Sequence, residues 1–209
     1  MPGIHAPRPA VRRTVLAAGT LAAALLGGCG ADHAGMGHGM SAPAAGSSSV
    51  TSFNDTDVMF IQMMIPHHQQ AVRMSDLAVT RAGDARVKEL AAQIKAEQRP
   101  EIATMLDWLD AFKQPTLAPT GMDMGHGPDH GAMAGMATEA QLKALSQASG
   151  TPFDKMFLTL MIAHHQGALT MADQELVDGT NPLARQLAQQ VVNSQSTEIA
   201  TMRSVLDRL

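Results

Sequence analysis

The sequence predicts an all-α protein, a four-helix bundle assembled from two copies of one helical hairpin. Three observations carry this. Cap residues open long segments whose apolar side chains recur at helical spacing. No segment alternates apolar and polar residues with period two, so no sheet is expected. The chain also repeats itself: "DVMFIQMMIPHHQQAVRMSD" (57–76) aligns with "DKMFLTLMIAHHQGALTMAD" (154–173), and "QRPEIATMLDWLD" (98–110) with "QSTEIATMRSVLD" (195–207). Both pairs share one offset of 97 residues, that from Asp57 to Asp154. Two like hairpins packed face to face, with a long crossover between them, make a bundle.

Each helix has its signals. The first starts after Asn54, a good N-cap, with Asp55 and Asp57 in its first turn, and runs to about Thr80. The second runs from near Asp84 to about Phe112. A short helix is expected from about Thr138 to Ala148. The third long helix is read with Thr151 as N-cap and Pro152 at its first position, and the fourth with Asn181 and Pro182 in the same arrangement. Pro66 lies inside the first helix and removes a backbone hydrogen bond, so a bend just before His67 is expected. Its counterpart is Ala163, so the bend is not a requirement of the site.

The termini of the repeats set the domain organisation. Residues 1–28 read as a lipoprotein leader: Arg8, Arg12 and Arg13, then "TVLAAGTLAAALLGG", then "LGGC" ending at Cys29. Acylated Cys29 would become the first residue of an exported protein anchored by lipid on the outer face of the cell membrane, or in a periplasm. A plain secretory leader with an incidental cysteine is the alternative. Residues 29–52 read as a flexible tether, 53–112 as the first hairpin, 113–137 as a Gly-rich linker and 138–209 as the second hairpin.

Cys29 is the only cysteine, so no disulfide forms within one chain and no zinc site built on cysteine is expected. The net charge is −4, and loss of the leader arginines makes the mature part more acidic. Nucleic acid is therefore not an expected partner. Cations are.

The candidate site lies on the repeated face. On a helical wheel Asp57, Phe60, Met63, Met64, His67, His68, Ala71 and Met74 fall within roughly 140°. Met64, His67, His68 and Met74 recur as Met161, His164, His165 and Met171, whereas Ile61/Leu158, Met63/Leu160 and Val72/Leu169 exchange one apolar residue for another. Adjacent histidines project about 100° apart, so one of each pair is expected at the bundle centre and the other on its flank. Thioether and imidazole together suit copper, copper(I) above copper(II). One histidine and one methionine from each copy would give a four-coordinate site. Packing is the competing explanation, because a methionine stripe at helical spacing is usually core. It is preferred for Met59, Met63, Met105 and Met202. Gln98 with Glu101, and Gln195 with Glu198, sit one turn apart on the second and fourth helices. They read either as partners orienting the imidazoles or as polar bundle residues.

Packing does not explain methionine on a glycine-rich backbone. "HAGMGHGM" holds His33, Met36, His38 and Met40, and "MDMGHGPDHGAMAGM" holds Met122, Met124, His126, His130, Met133 and Met136. Such tracts read as auxiliary metal-capturing segments, and interleaved methionine specifies a soft metal. The chain has 16 methionines against one tryptophan and no tyrosine, which points the same way.

The segments "F…MMIPHHQQAVRMS" and "F…MIAHHQGALTMA", each followed by "Q..EI..M", resemble the bacterial "domain of unknown function 305" family, in two tandem copies over about residues 53–209. The resemblance implies a ferritin-like bundle, export, a link to copper binding and tolerance, and importance for His67, His68, His164, His165 and the neighbouring methionines. The helices hold no Glu-x-x-His, so a carboxylate di-iron centre is not expected. The leading expectation is a copper-binding lipoprotein, not an enzyme, that buffers, sequesters or delivers copper, with a copper exporter or cuproprotein as a further partner. A metal-dependent oxidoreductase on the same site and a surface interaction bundle without metal are the alternatives.

Overall fold

In the computed structural model, residues 52–116 and 133–209 are described. The leader, Cys29, the tract His33–Met40 and the linker residues Met122, Met124, His126 and His130 lie outside them. Five helices follow in order: α1 Asp55–Arg81, α2 Ala85–Ala111, α3 Glu139–Gln147, α4 Gly150–Asp178 and α5 Pro182–Leu206. No strand occurs among the described residues. No helix there is long and apolar enough to cross a membrane.

The caps explain where the chain turns. Asn54 accepts from the Asp57 amide while the Asp57 carboxylate accepts from Asn54, a capping box in which both orphan donors are satisfied. Asp84, Thr138 and Asn181 likewise accept from the first turns of α2, α3 and α5. The start of α4 departs from expectation. Its N-cap is Ser149, which makes no side-chain cap bond, and Thr151 lies inside the helix. The reason is a close backbone approach: Gly150 has φ +60, and a Cβ on Gly83 would stand 2.9 Å from the Gly150 Cα. That junction is fixed by backbone contact rather than by a threonine hydroxyl. Helix α1 runs on through Pro66 without a break in its assignment.

α1 packs along α2 and α4 along α5, and the two hairpins meet mainly along α1 and α4. The four-helix bundle expected from the repeat is thus the observed fold, with α3 as a short cover. Around the α1–α4 seam the core forms two lobes. One gathers Met74, Ile94, Phe153, Phe157, Met161 and Met202; the other gathers Phe60, Ile61, Met64, Met105, Leu109 and Val191. Each lobe draws on both hairpins, so neither hairpin buries its apolar face alone. Met105 and Met202 are core as expected. Met59 and Met63 are not: both are only partly buried, near the edge of the apolar stripe.

A candidate metal site at the hairpin seam

The histidines sit at mid-length of α1 and α4, where the two helices face each other. All four side chains are fully buried. The 100° step between neighbours divides each pair between two interfaces. His67 and His164 meet across the seam, with ring centroids 3.7 Å apart. His68 turns instead toward α2, where its Nε2 lies 2.8 Å from Glu101 Oε2. His165 does the same toward α5, with Nε2 2.7 Å from Glu198 Oε2. The second histidine of each pair is therefore inside a hairpin interface rather than on an outer flank. The pseudo-twofold axis of the repeat runs between the first two.

Burial decides the charge of this layer. Desolvation pushes His67 from 6.5 down to about 3, helped by the electrostatic influence of His68 and His165 and opposed by its hydrogen bond to Ala134. His164 is held well below the ordinary imidazole value, again by burial first and then by His67, His165 and His68. Both rings are neutral at pH 7, the form whose nitrogen lone pair binds a metal.

The layer also concentrates polar atoms with no partner. His67 Nδ1, His68 Nδ1, His165 Nδ1 and both nitrogens of His164 are buried and unpaired. So are both amide atoms of Gln98, Gln195 Oε1 and Glu198 Oε1. Native structures pair nearly all buried polar atoms, so a cluster of exceptions asks for a reason such as an ion. Three of the imidazoles share a pattern. Nε2 of His67, His68 and His165 each meets an oxygen, from Ala134, Glu101 and Glu198 respectively. An oxygen acceptor there holds the proton on Nε2 and leaves Nδ1 with the free lone pair.

Of the sulfur donors, Met64, Met74 and Met161 are fully buried and Met171 partly so. Met64 lies in one core lobe with Met171 packed against it, and Met74 and Met161 share the other. Among the described residues no three His, Cys, Asp or Glu side chains converge as a ligand set. Glu101 and Glu198 each hydrogen-bond an imidazole. Gln98 and Gln195 do not: both are buried, but neither hydrogen-bonds a histidine. Gln69 and Gln166, unchanged between the copies, are exposed.

The linker end is also part of this region. Met133 and Met136 belong to a turn closed by the Met136 amide donating to Met133 O at 3.1 Å. Gly135 has φ +78, the left-handed value that a type II turn demands at its third residue. The turn carries Ala134 O to within 3.2 Å of His67 Nε2. Residues 133–137 are therefore docked on the bundle, against the expectation of a flexible segment throughout 113–137.

An all-α bundle with a layer of four buried imidazoles on a pseudo-twofold seam defines the class of the molecule. Residues 57–206 match the family described as domain of unknown function DUF305, and the chain belongs to that family. A DUF305 protein from Streptomyces coelicolor, classed with secreted proteins, is 34% identical; the match covers 73% of this chain and 93% of that one, with a TM-score of 0.67. CopM in its Cu(I)-bound form is 33% identical over 74% of this chain and 98% of its own, with a TM-score of 0.61. CopM has also been solved in Cu(II)-bound and Ag-bound forms. Uncharacterized protein L153 of Acanthamoeba polyphaga mimivirus is 42% identical over 57 residues, and this chain spans only 38% of its length.

Proposed function

We propose that the chain is an exported copper-binding lipoprotein that buffers copper or hands it on, rather than an enzyme. One observation carries the reading: His67 and His164 face each other, buried and neutral, with lone pairs unspent. A soft ion entering there would find imidazole nitrogen, and the core lobes on either side of the seam hold the buried thioethers of Met64, Met161 and Met74 as candidate further donors. Copper(I) prefers this neutral, soft donor set to an oxygen one. Glu101 and Glu198 hold His68 and His165 in the orientation that frees Nδ1 and raise the basicity of that nitrogen. CopM, of the same fold at 33% identity, holds Cu(I), Cu(II) and Ag in its crystal structures, which supports the same cargo here.

The tracts His33–Met40 and Met122–Met136 would capture ions weakly and pass them to the bundle, and acylated Cys29 would keep the protein at the membrane surface. A copper exporter or cuproprotein is the receiving partner in this scheme. The test is a competition titration with a copper(I) chelator on residues 30–209. Replacing His67, His68, His164 and His165 together is expected to abolish tight binding while the tracts keep a weak phase. Unchanged tight binding after that replacement would refute the bundle site. Changing Cys29 to serine is expected to release the protein from membranes.

A further inference from the structure

The repeat is broken at one position that touches the site. Gln70 in α1 corresponds to Gly167 in α4. Both serve the same segment. The Gln70 side chain donates to Ala137 O at 2.9 Å and accepts from Ala137 N at 2.8 Å, a two-point hold on one backbone residue. Gly167 is the seat: a Cβ there would stand 1.9 Å from Ala134 O, and a Cβ on Gly135 would stand 2.3 Å from Ala163 O. A glycine in mid-helix is unfavourable by itself, and this contact explains why α4 has one.

We propose that the Met133–Ala137 turn is a latch over the His67–His164 pair, fastened by Gln70 and seated on Gly167, whose release sets how fast a soft metal ion enters and leaves. The turn lies on the outside, with Ala134 exposed, while His67 beneath it is fully buried. Its fastening is slight. Ala134 O on His67 Nε2 and the two bonds from Gln70 hold it, and Ala137 is its one buried residue. Segments with few buried apolar contacts open at low cost. Behind the latch the capping box of Thr138 and Gln141 anchors α3, so opening needs to go no further than residue 137. Ala134 O also occupies His67 Nε2, so lifting the latch both uncovers the imidazoles and frees that nitrogen.

The proposal rests on the copper reading for the identity of the ion, and the test separates the two. Gln70→Ala removes the fastening. Gly167→Ala expels the turn from its seat and is itself compatible with a helix. The metal-free full chain is treated with diethylpyrocarbonate, and modification of each histidine is followed by mass spectrometry. Both variants are expected to modify His67 and His164 on the order of tenfold faster than the wild type, because local opening becomes frequent. His68 and His165, held inside the hairpins, are expected to keep their wild-type rates. Wild-type rates at His67 in both variants overturn the latch, and so does an equal acceleration of all four histidines, which would mean general loosening. In a second arm silver(I) is exchanged against a chelator, and both variants are expected to release it faster than the wild type; equal release rates overturn the control of exchange. A wild type that takes up no silver at all refutes the metal site instead, and the labelling still decides the latch.

Discussion

Asp57 and Asp154 clamp each other's hairpin across the seam. Asp57, near the start of α1, accepts from the amides of Thr180 and Asn181 at 3.0 Å each, in the turn that opens α5. Asp154, near the start of α4, accepts from the amides of Gly83 and Asp84 at 3.1 and 2.9 Å, in the turn that opens α2. Gly83 and Asp84 are the repeat counterparts of Thr180 and Asn181. The arrangement is thus one clamp used twice, and it holds the two ends of the α1–α4 seam. Both carboxylates are buried and meet the positive end of the other hairpin's second helix.

Removing one clamp is expected to destabilise the protein without disturbing the imidazole layer directly. Asp154→Ala leaves the Gly83 and Asp84 amides without their acceptor. Hydrogen bonds to a charged group contribute about 1.5–3 kcal/mol each, and the partial access of this turn to water reduces the loss, so about 3 kcal/mol in total is expected. Urea denaturation followed by circular dichroism measures it. A loss within about 0.5 kcal/mol, typical of a surface change, would show that the clamp is not what holds the turn.

Glu175 makes one of the two clamps sensitive to pH. It is fully buried and lies against Asp57. Burial and then the Asp57 carboxylate raise it from 4.5 to about 8, with Arg185 opposing. At pH 7 it keeps its proton beside the Asp57 carboxylate, whereas the unfolded chain has released that proton. The folded pKa lies above the unfolded one, so this contribution is intact below pH 4.5 and is lost as pH rises toward 8. The slope approaches about 1.4 kcal/mol per pH unit. Glu175→Gln places a neutral side chain of the same shape beside Asp57 and is expected to flatten the stability profile over that window. A slope equal to the wild type in the variant would assign the effect to another group.

The imidazoles act in the opposite sense at lower pH. His67 and His164 stay neutral when folded, while the unfolded chain takes up their protons below 6.5. Their contribution is present above that value and is lost as pH falls toward 3. With Glu175 working from the other side, the combined contribution of these three groups is greatest near pH 6.5. The same unpaired nitrogens predict a gain from removing them. His164→Leu takes two unsatisfied atoms out of the core and is expected to stabilise the metal-free protein by about 1–3 kcal/mol, while weakening the metal-loaded one relative to wild type. Thermal melts with and without silver(I) measure both signs. A destabilised metal-free variant would mean that the ring is held by packing alone.

The sequence carried the bundle legibly because duplication and capping are local signals. Asn54 and Asn181 cap the helices they were expected to cap, and Asp84 and Thr138 cap helices expected to start near them, whereas Thr151 does not cap α4, because contact between Gly83 and Gly150 is a tertiary event. The split of each histidine pair follows from helical geometry alone. What Asp57 and Asp154 do across the seam does not, although both recur in the repeat: a carboxylate in a first turn reads as a local cap until the other hairpin is placed beside it. The remaining features lie where the copies differ. Gln70 against Gly167, and Ala78 against Glu175, look like drift, yet one pair fastens a turn over the site and the other buries an acid in a clamp. In a duplicated chain a change of size or charge on the buried face is itself the signal to follow.

Glu101 and Glu198 test whether the carboxylates orient the imidazoles or only fill space. Each accepts from a histidine Nε2 at nearly the same distance, but their surroundings differ. The Glu198 side chain is 5% exposed and that of Glu101 23%. Glu101 lines a cleft of about 230 Å³ between α2 and α5, together with Trp108 and Leu187, so solvent reaches the outer side of its carboxylate. Replacing either glutamate with glutamine lets the amide present its nitrogen or its oxygen to the ring, so the proton on Nε2 is no longer dictated. Loss of such an oriented partner typically costs 10–100-fold in metal affinity, and a loss of roughly that size is expected for both variants in a chelator competition. Their stabilities without metal should diverge: water can replace the missing bond at Glu101, whereas at Glu198 it cannot enter as easily, so Glu198→Gln is expected to melt lower than Glu101→Gln. Equal melting temperatures with unchanged metal affinity would reduce both glutamates to ordinary polar residues of the bundle.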